Sequence, residues 1–93
     1  MIRTIKDLKE FIKNFFKGEK VEVYLFGSRA RGDNTPFSDI DLGFVSDRDI
    51  SNRLAILRDI LENSCLPYKV DIVDLSGDDE LLKIVLQEGD RWI

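Results

Sequence analysis

Between Tyr24 and Leu42 the chain reads YLFGSRARGDNTPFSDIDL, and few folds accommodate such a run. It enters as the end of an apolar strand, passes a turn bracketed by Gly27 and Gly32, crosses a polar loop, and leaves as a strand bearing two carboxylates. Glycine at 27 lets the backbone approach a ligand closely, and glycine at 32 permits a φ angle closed to other residues. Ser28 to Arg31 are expected to make one helical turn between them. Asp39 and Asp41 stand two positions apart, so in an extended segment both side chains leave one face while Ile40 turns to the core.

That pattern has a specific chemical use. Two like charges whose backbones lie about 7 Å apart disfavour joint ionisation unless a cation sits between them. Oxygen donors of this kind suit Mg²⁺, which keeps several waters and completes its shell with phosphate oxygens. Backbone N–H groups of a glycine turn, helped by the Ser28 hydroxyl, are suited to holding those phosphates. The combination points to a metal-dependent site for a nucleoside triphosphate. With no histidine in 93 residues, imidazole acid–base catalysis is excluded and metal binding must rest on carboxylates and carbonyls. The single cysteine, Cys65, rules out an intrachain disulfide; at the apolar end of an expected helix it reads as a small buried hydrophobe.

The flanking segments read as regular elements. Thr4 can cap a helix, with Asp7 three residues on completing a box and an apolar stripe at Ile5, Leu8, Phe11, Ile12, Phe15 and Phe16. Lys6, Lys9, Lys13 and Lys17 take the solvated face, and Gly18 supplies the stop. Val21 to Phe26 is a strand, Asp33 to Pro36 a loop of turn-forming residues, and about Asp39 to Val45 a second strand. A helix from roughly Ile50 to Ser64 buries Ile50, Leu54, Leu57, Ile60 and Leu61, and Pro67 marks its break. Tyr68 to Leu75 is the third strand. A last helix, about Asp79 to Gln87, turns Leu82, Val85 and Leu86 inward before a tail ending Arg91-Trp92-Ile93. Phe37 and Phe44 are expected in the core. Asp71 stands out in its strand, because a carboxylate among apolar residues is costly unless exposed or paired with a cation.

Gly27-Ser28-Arg29-Ala30-Arg31-Gly32, followed by Ser38-Asp39-Ile40-Asp41-Leu42, resembles the signature of the DNA polymerase beta-like nucleotidyltransferase superfamily. Size and the full GSRARG form resemble its minimal nucleotidyltransferases, often the antitoxin partners of small helical HEPN-domain proteins. The resemblance implies an α/β (α+β) fold, a small mixed sheet with helices mainly on one face, as a single domain over 1–93. It implies that Asp39 and Asp41 are the primary ligands of Mg²⁺, two ions in all. Asp71 matches the family's third acid, completing the metal site and accepting a proton from the attacking hydroxyl. Asp74 is the competitor, but it lies an odd number of residues away and faces the other side of a regular strand. Gly27 and Ser28 are expected against the β- and γ-phosphates and Arg31 near the triphosphate. Arg29 is the alternative to Arg31 for that role, and the one not used would face solvent or a protein acceptor. Ser38 is expected to position the loop before Asp39.

Charge separates the function classes further. Residues 1–32 hold eight Lys/Arg against four Asp/Glu, whereas residues 33–93 hold six against fourteen. A largely acidic surface argues against direct nucleic-acid binding and favours a basic protein partner. The N-terminal segment mixes charges throughout and no apolar run approaches the ~20 residues of a membrane span, so a cytoplasmic, soluble protein is expected. The reading is an Mg²⁺-dependent nucleotidyltransferase moving AMP from ATP onto a hydroxyl, a tyrosine of a cognate HEPN toxin, and so acting as antitoxin. Two alternatives compete with it: a catalytically weak nucleotide-binding module that neutralises its partner by occlusion, and a subunit completed by another chain to modify an antibiotic or nucleic acid. An exposed edge strand or the Trp92-Ile93 tail offers a route to homo-oligomers or partner docking, or the tail folds back onto the core.

Overall fold

Thr4 starts the first helix by accepting a hydrogen bond from the Asp7 N–H at 3.1 Å while the Asp7 carboxylate accepts from the Thr4 N–H at 3.2 Å. This reciprocal cap satisfies two donors that a helix start leaves open. A computed structural model describes residues 2–32, 35 and 38–93. Its elements are α1 (Ile5–Phe15), β1 (Val21–Phe26), α2 (Ser28–Arg31), β2 (Ile40–Ser46), α3 (Ser51–Glu62), β3 (Val70–Asp74), α4 (Asp79–Glu88) and β4 (Asp90–Arg91).

The strands form one mixed sheet in the order β3-β2-β1-β4. β1 runs antiparallel to both β2 and β4, and the long crossover through α3 brings β3 parallel to β2. Period-two alternation then sorts the side chains between two faces. Val23, Leu25, Ile40, Leu42, Phe44 and Ile72 join Leu8, Ile12, Phe16, Leu54 and Leu57 in the larger core, under α1 and α3. Tyr24 turns to the other face, where Leu75 and Val85 are buried and Phe26, Val73, Leu81 and Leu82 pack against them beneath α4. Two of the three long helices therefore share a face. Arg53 of α3 ties that pair together, with its guanidinium 4.1 Å from the Phe15 ring centre and donating to the Phe15 carbonyl and to Glu19.

Four details depart from the expectations. Asp90–Arg91 add a fourth strand that was not expected, while the tail beyond it takes the fold-back alternative: the Trp92 N–H donates to the Val23 carbonyl at 2.7 Å, and the indole is buried. Leu86 is 54% exposed, because Val85 takes the inward position of α4 and the next residue lies about 100° further round the helix. Cys65 is exposed rather than buried. Because α3 ends at Glu62, Cys65 falls outside the helix stripe, and Leu66 packs on the core beside it. The third strand is shorter than expected, leaving Tyr68 and Lys69 ahead of it. Phe44 is buried as expected, whereas Phe37 and the turn residues Asp33, Asn34 and Pro36 lie outside the described residues. Among the described residues no helix is long and apolar enough to cross a membrane.

Candidate active site

Asp41 occupies the second position of β2, paired with Phe26 of β1 on one side and in register with Asp71 of β3 on the other. Residues in register share a sheet face, so both carboxylates project on the α4 side from strands about 4.8 Å apart. Asp39 immediately precedes β2 and is exposed. Asp74 is in register with Phe44, which points into the opposite core. It is exposed there and accepts a hydrogen bond from the Ser76 N–H at 3.0 Å.

The glycine turn meets this cluster at the end of β1. Gly27 has φ 77° and ψ −154°, and Gly32 closes α2 in the left-handed region at φ 82°. The Arg31 N–H donates to the Gly27 carbonyl at 3.1 Å and the Gly32 N–H to the Ser28 carbonyl at 3.0 Å. A Cβ on Gly27 would collide with the Asp41 carboxylate, while one on Gly32 would meet nothing within 4 Å. Gly32 is required for its dihedral alone; Gly27 is required for dihedral and space together.

The Asp41 carboxyl is held above its ordinary range, first by burial, then by the charges of Asp71 and Asp39 and a hydrogen bond with Asp71. The Arg31 charge works in the opposite direction. Arg31 also lies 3.7 Å from Glu88 of α4, with both side chains about half exposed. Lys69 stands 3.7 Å from Asp71. Asp41 stays above its ordinary range despite Arg31, an environment that a cation beside it would relieve.

Arg29 has a structural task that the local sequence pattern did not disclose. Its Nε and Nη2 both donate to the Ser38 carbonyl, at 3.2 and 2.9 Å, and its guanidinium lies 4.6 Å from the Tyr68 ring centre. It thereby clamps the chain entering Asp39 to the segment entering β3. Ser38 adds a local turn, its Oγ accepting from the Thr35 N–H at 2.9 Å and its own N–H donating to the Thr35 carbonyl at 3.1 Å. Nothing in the periodicity around Arg29 points to partners nine and thirty-nine residues away.

Among the described residues no group of three or more metal-ligating side chains is close enough to enclose an ion alone. Mg²⁺ does not require such a cage, since one or two carboxylates, waters and substrate phosphates commonly complete its octahedron. The donor set is entirely hard oxygen, and the missing Cβ at Gly27 leaves Asp41 unobstructed beside the turn. Asp41 and Asp71, with Asp39 beside them, fit a hard divalent cation. A cleft of about 740 Å³ opens next to this pair, lined by Phe26, Asp41, Asp71, Val73 and Leu81 and, between α3 and β3, by Ser64, Leu66, Tyr68, Lys69 and Val70.

A mixed sheet of this order, carrying in-register acids beside a glycine turn, has the architecture of a polymerase beta-like nucleotidyltransferase. The model of the nucleotidyltransferase domain family matches residues 5–90, and the chain belongs to that family. It is 34% identical over 96 residues to a Methanocaldococcus jannaschii protein named "Putative protein adenylyltransferase MJ0604", covering 94% of this chain and 92% of that one. A chain in the crystal structure of a mutant of the toxin–antitoxin MntA-HpeT shares the fold, with a TM-score of 0.63 at 23% identity over 91% of this chain and 72% of that one. The protein is a nucleotidyltransferase.

Proposed function

We propose that this chain transfers AMP from ATP onto a hydroxyl of a protein, a tyrosine of a cognate HEPN-domain toxin, and acts as that toxin's antitoxin in the cytoplasm. The observation that carries the reading is Asp41, set between Asp71 on one neighbouring strand and Gly27 at the end of the other. The name of the archaeal relative supports a protein acceptor, and the toxin–antitoxin origin of the structural neighbour supports the partner class.

Asp39, Asp41 and Asp71 would hold Mg²⁺, two ions in this reading. When bound, the metal offsets the negative charge that develops on the phosphate oxygens during an in-line displacement. The chain's own groups divide the remaining work. The N–H groups around Gly27 and the Ser28 hydroxyl hold the β- and γ-phosphates, and the Arg31 guanidinium balances part of the triphosphate charge. The acceptor oxygen forms a bond to the α-phosphorus as the bond from that phosphorus to the bridging oxygen breaks, so pyrophosphate leaves. Asp71 takes the hydroxyl proton. Arg29 keeps Asp39 in place by holding the Ser38 carbonyl.

The test is the intact mass of a HEPN-domain protein encoded beside this chain and co-expressed with it. One or more AMP units on the partner, absent when Asp39→Asn and Asp41→Asn are combined, is the expected result. A partner neutralised without any added mass in either case would leave occlusion as the mechanism.

A further inference from the structure

We infer that the acceptor polypeptide reaches the site as an extended segment laid along the outer edge of β3. This rests on the transfer reading above and specifies where its second substrate docks. β3 ends the strand order, so it uses one edge only. The Ile40 N–H donates to the Lys69 carbonyl at 2.9 Å and the Leu75 N–H to the Phe44 carbonyl at 2.8 Å. Odd-numbered residues of the segment therefore bond to β2, and the backbone groups of Val70, Ile72 and Asp74 face outward. Of these, the Ile72 carbonyl accepts from Arg58 Nη2 at 3.1 Å. The outward groups of Val70 and Asp74 make no hydrogen bond to another described residue. An edge of this kind is a template for an added strand.

Two further observations make the occupant a substrate segment rather than any passing strand. The cleft of about 740 Å³ is lined by Val70 and Ile72 of this strand and by Asp41 and Asp71, so a chain bound there lies beside the acids. Leu61, Leu66, Tyr68 and Leu81 supply apolar wall, and Arg58 and Glu62 supply charges of both signs. That volume is within the range of sites that take a ligand. The second observation is handedness about Asp41. The glycine turn lies on its β1 side and the cleft on its β3 side. In-line displacement places the entering and leaving oxygens on opposite sides of phosphorus. With pyrophosphate departing toward Gly27 and Ser28, the entering hydroxyl comes from the β3 side. A strand added to β3 at the usual spacing of about 4.8 Å would present alternate side chains on the Asp71 face.

Cys65 makes this testable, because it is exposed, unique in the chain, and next to Leu66 in the cleft wall. Benzophenone-maleimide is attached to Cys65, and in a control to Cys65→Ser with Lys20→Cys, which moves the label to the opposite end of the sheet. Each labelled protein is mixed with the purified HEPN-domain partner, Mg²⁺ and ATP, irradiated, and digested for mass spectrometry. The expected result is a cross-link from Cys65 to a partner segment within a few residues of the AMP-bearing hydroxyl, and none there from position 20. In parallel, Leu66→Glu is expected to raise the KM for the partner roughly tenfold while leaving the Kd for ATP unchanged. Transfer of AMP with cross-links only from position 20, or only to a second copy of this chain, overturns the inference and leaves the transfer reading standing. An unlabelled protein that adds no AMP to the partner overturns both.

Discussion

No side chain fits at Gly27, because a Cβ there would sit 3.3 Å from the Asp41 carboxyl carbon and nearer still to one of its oxygens. The turn and the carboxylate are in effect one object, built from the ends of two antiparallel strands. Gly27→Ala is therefore expected to abolish ATP binding in a calorimetric titration. Gly32→Ala meets no neighbour and pays only for its left-handed dihedral, about 1–2 kcal/mol of stability, with ATP affinity retained. Equal loss of binding in the two variants would contradict the contact.

Asp41 carries a stability penalty in the metal-free protein. A carboxyl whose pKa rises on folding contributes its stability below the ordinary value of 3.8, and loses it as pH climbs through the raised value. Asp41→Asn removes that penalty. Thermal melts in chelator at pH 7 are expected to show a higher Tm for the variant than for the wild type, with the gap closing below pH 3.8 and narrowing when Mg²⁺ is added. A lower Tm for the variant at pH 7 would show that Asp41 is not strained by its neighbours.

Arg29 is expected to matter through position rather than charge. Arg29→Ala loses a forked donor to the Ser38 carbonyl and a cation over Tyr68, together on the order of 2 kcal/mol in urea unfolding. Lysine cannot reproduce the fork, so Arg29→Lys should recover less than half of that loss. Full rescue by lysine would sink the clamp.

The tail is a structural element. Trp92→Ala empties a buried site and is expected to cost about 3–5 kcal/mol, a large share of what a domain of this size has in total. A denaturation midpoint within error of the wild type would contradict it.

How much of this was legible in the sequence follows from the range of each interaction. The Thr4–Asp7 cap spans three residues, and the assignment of Asp41 and Asp71 to the non-core side of their strands depends on alternation, so both are written locally. Local pattern does not reach β4, whose two residues have no period to read and exist as a strand because β1 offers a free edge. The same holds for Arg29, whose partners Ser38 and Tyr68 are brought to it by the turn and by the β2-α3-β3 crossover. Cys65 and Leu86 depended on where a helix ends and how it is rotated, which packing decides within a residue or two. The in-register pairing of Asp41 with Asp71 needed the sheet itself.

The central claim is that the aspartates beside Gly27 bind a divalent cation and ATP together. Isothermal titration of ATP into the protein, with and without Mg²⁺, tests it on the wild type and on the combined Asp39→Asn, Asp41→Asn variant. Saturable heat is expected for the wild type only when Mg²⁺ is present, and none for the variant or in chelator. Heat that is equal in the variant, or absent from the wild type in Mg²⁺, would contradict it.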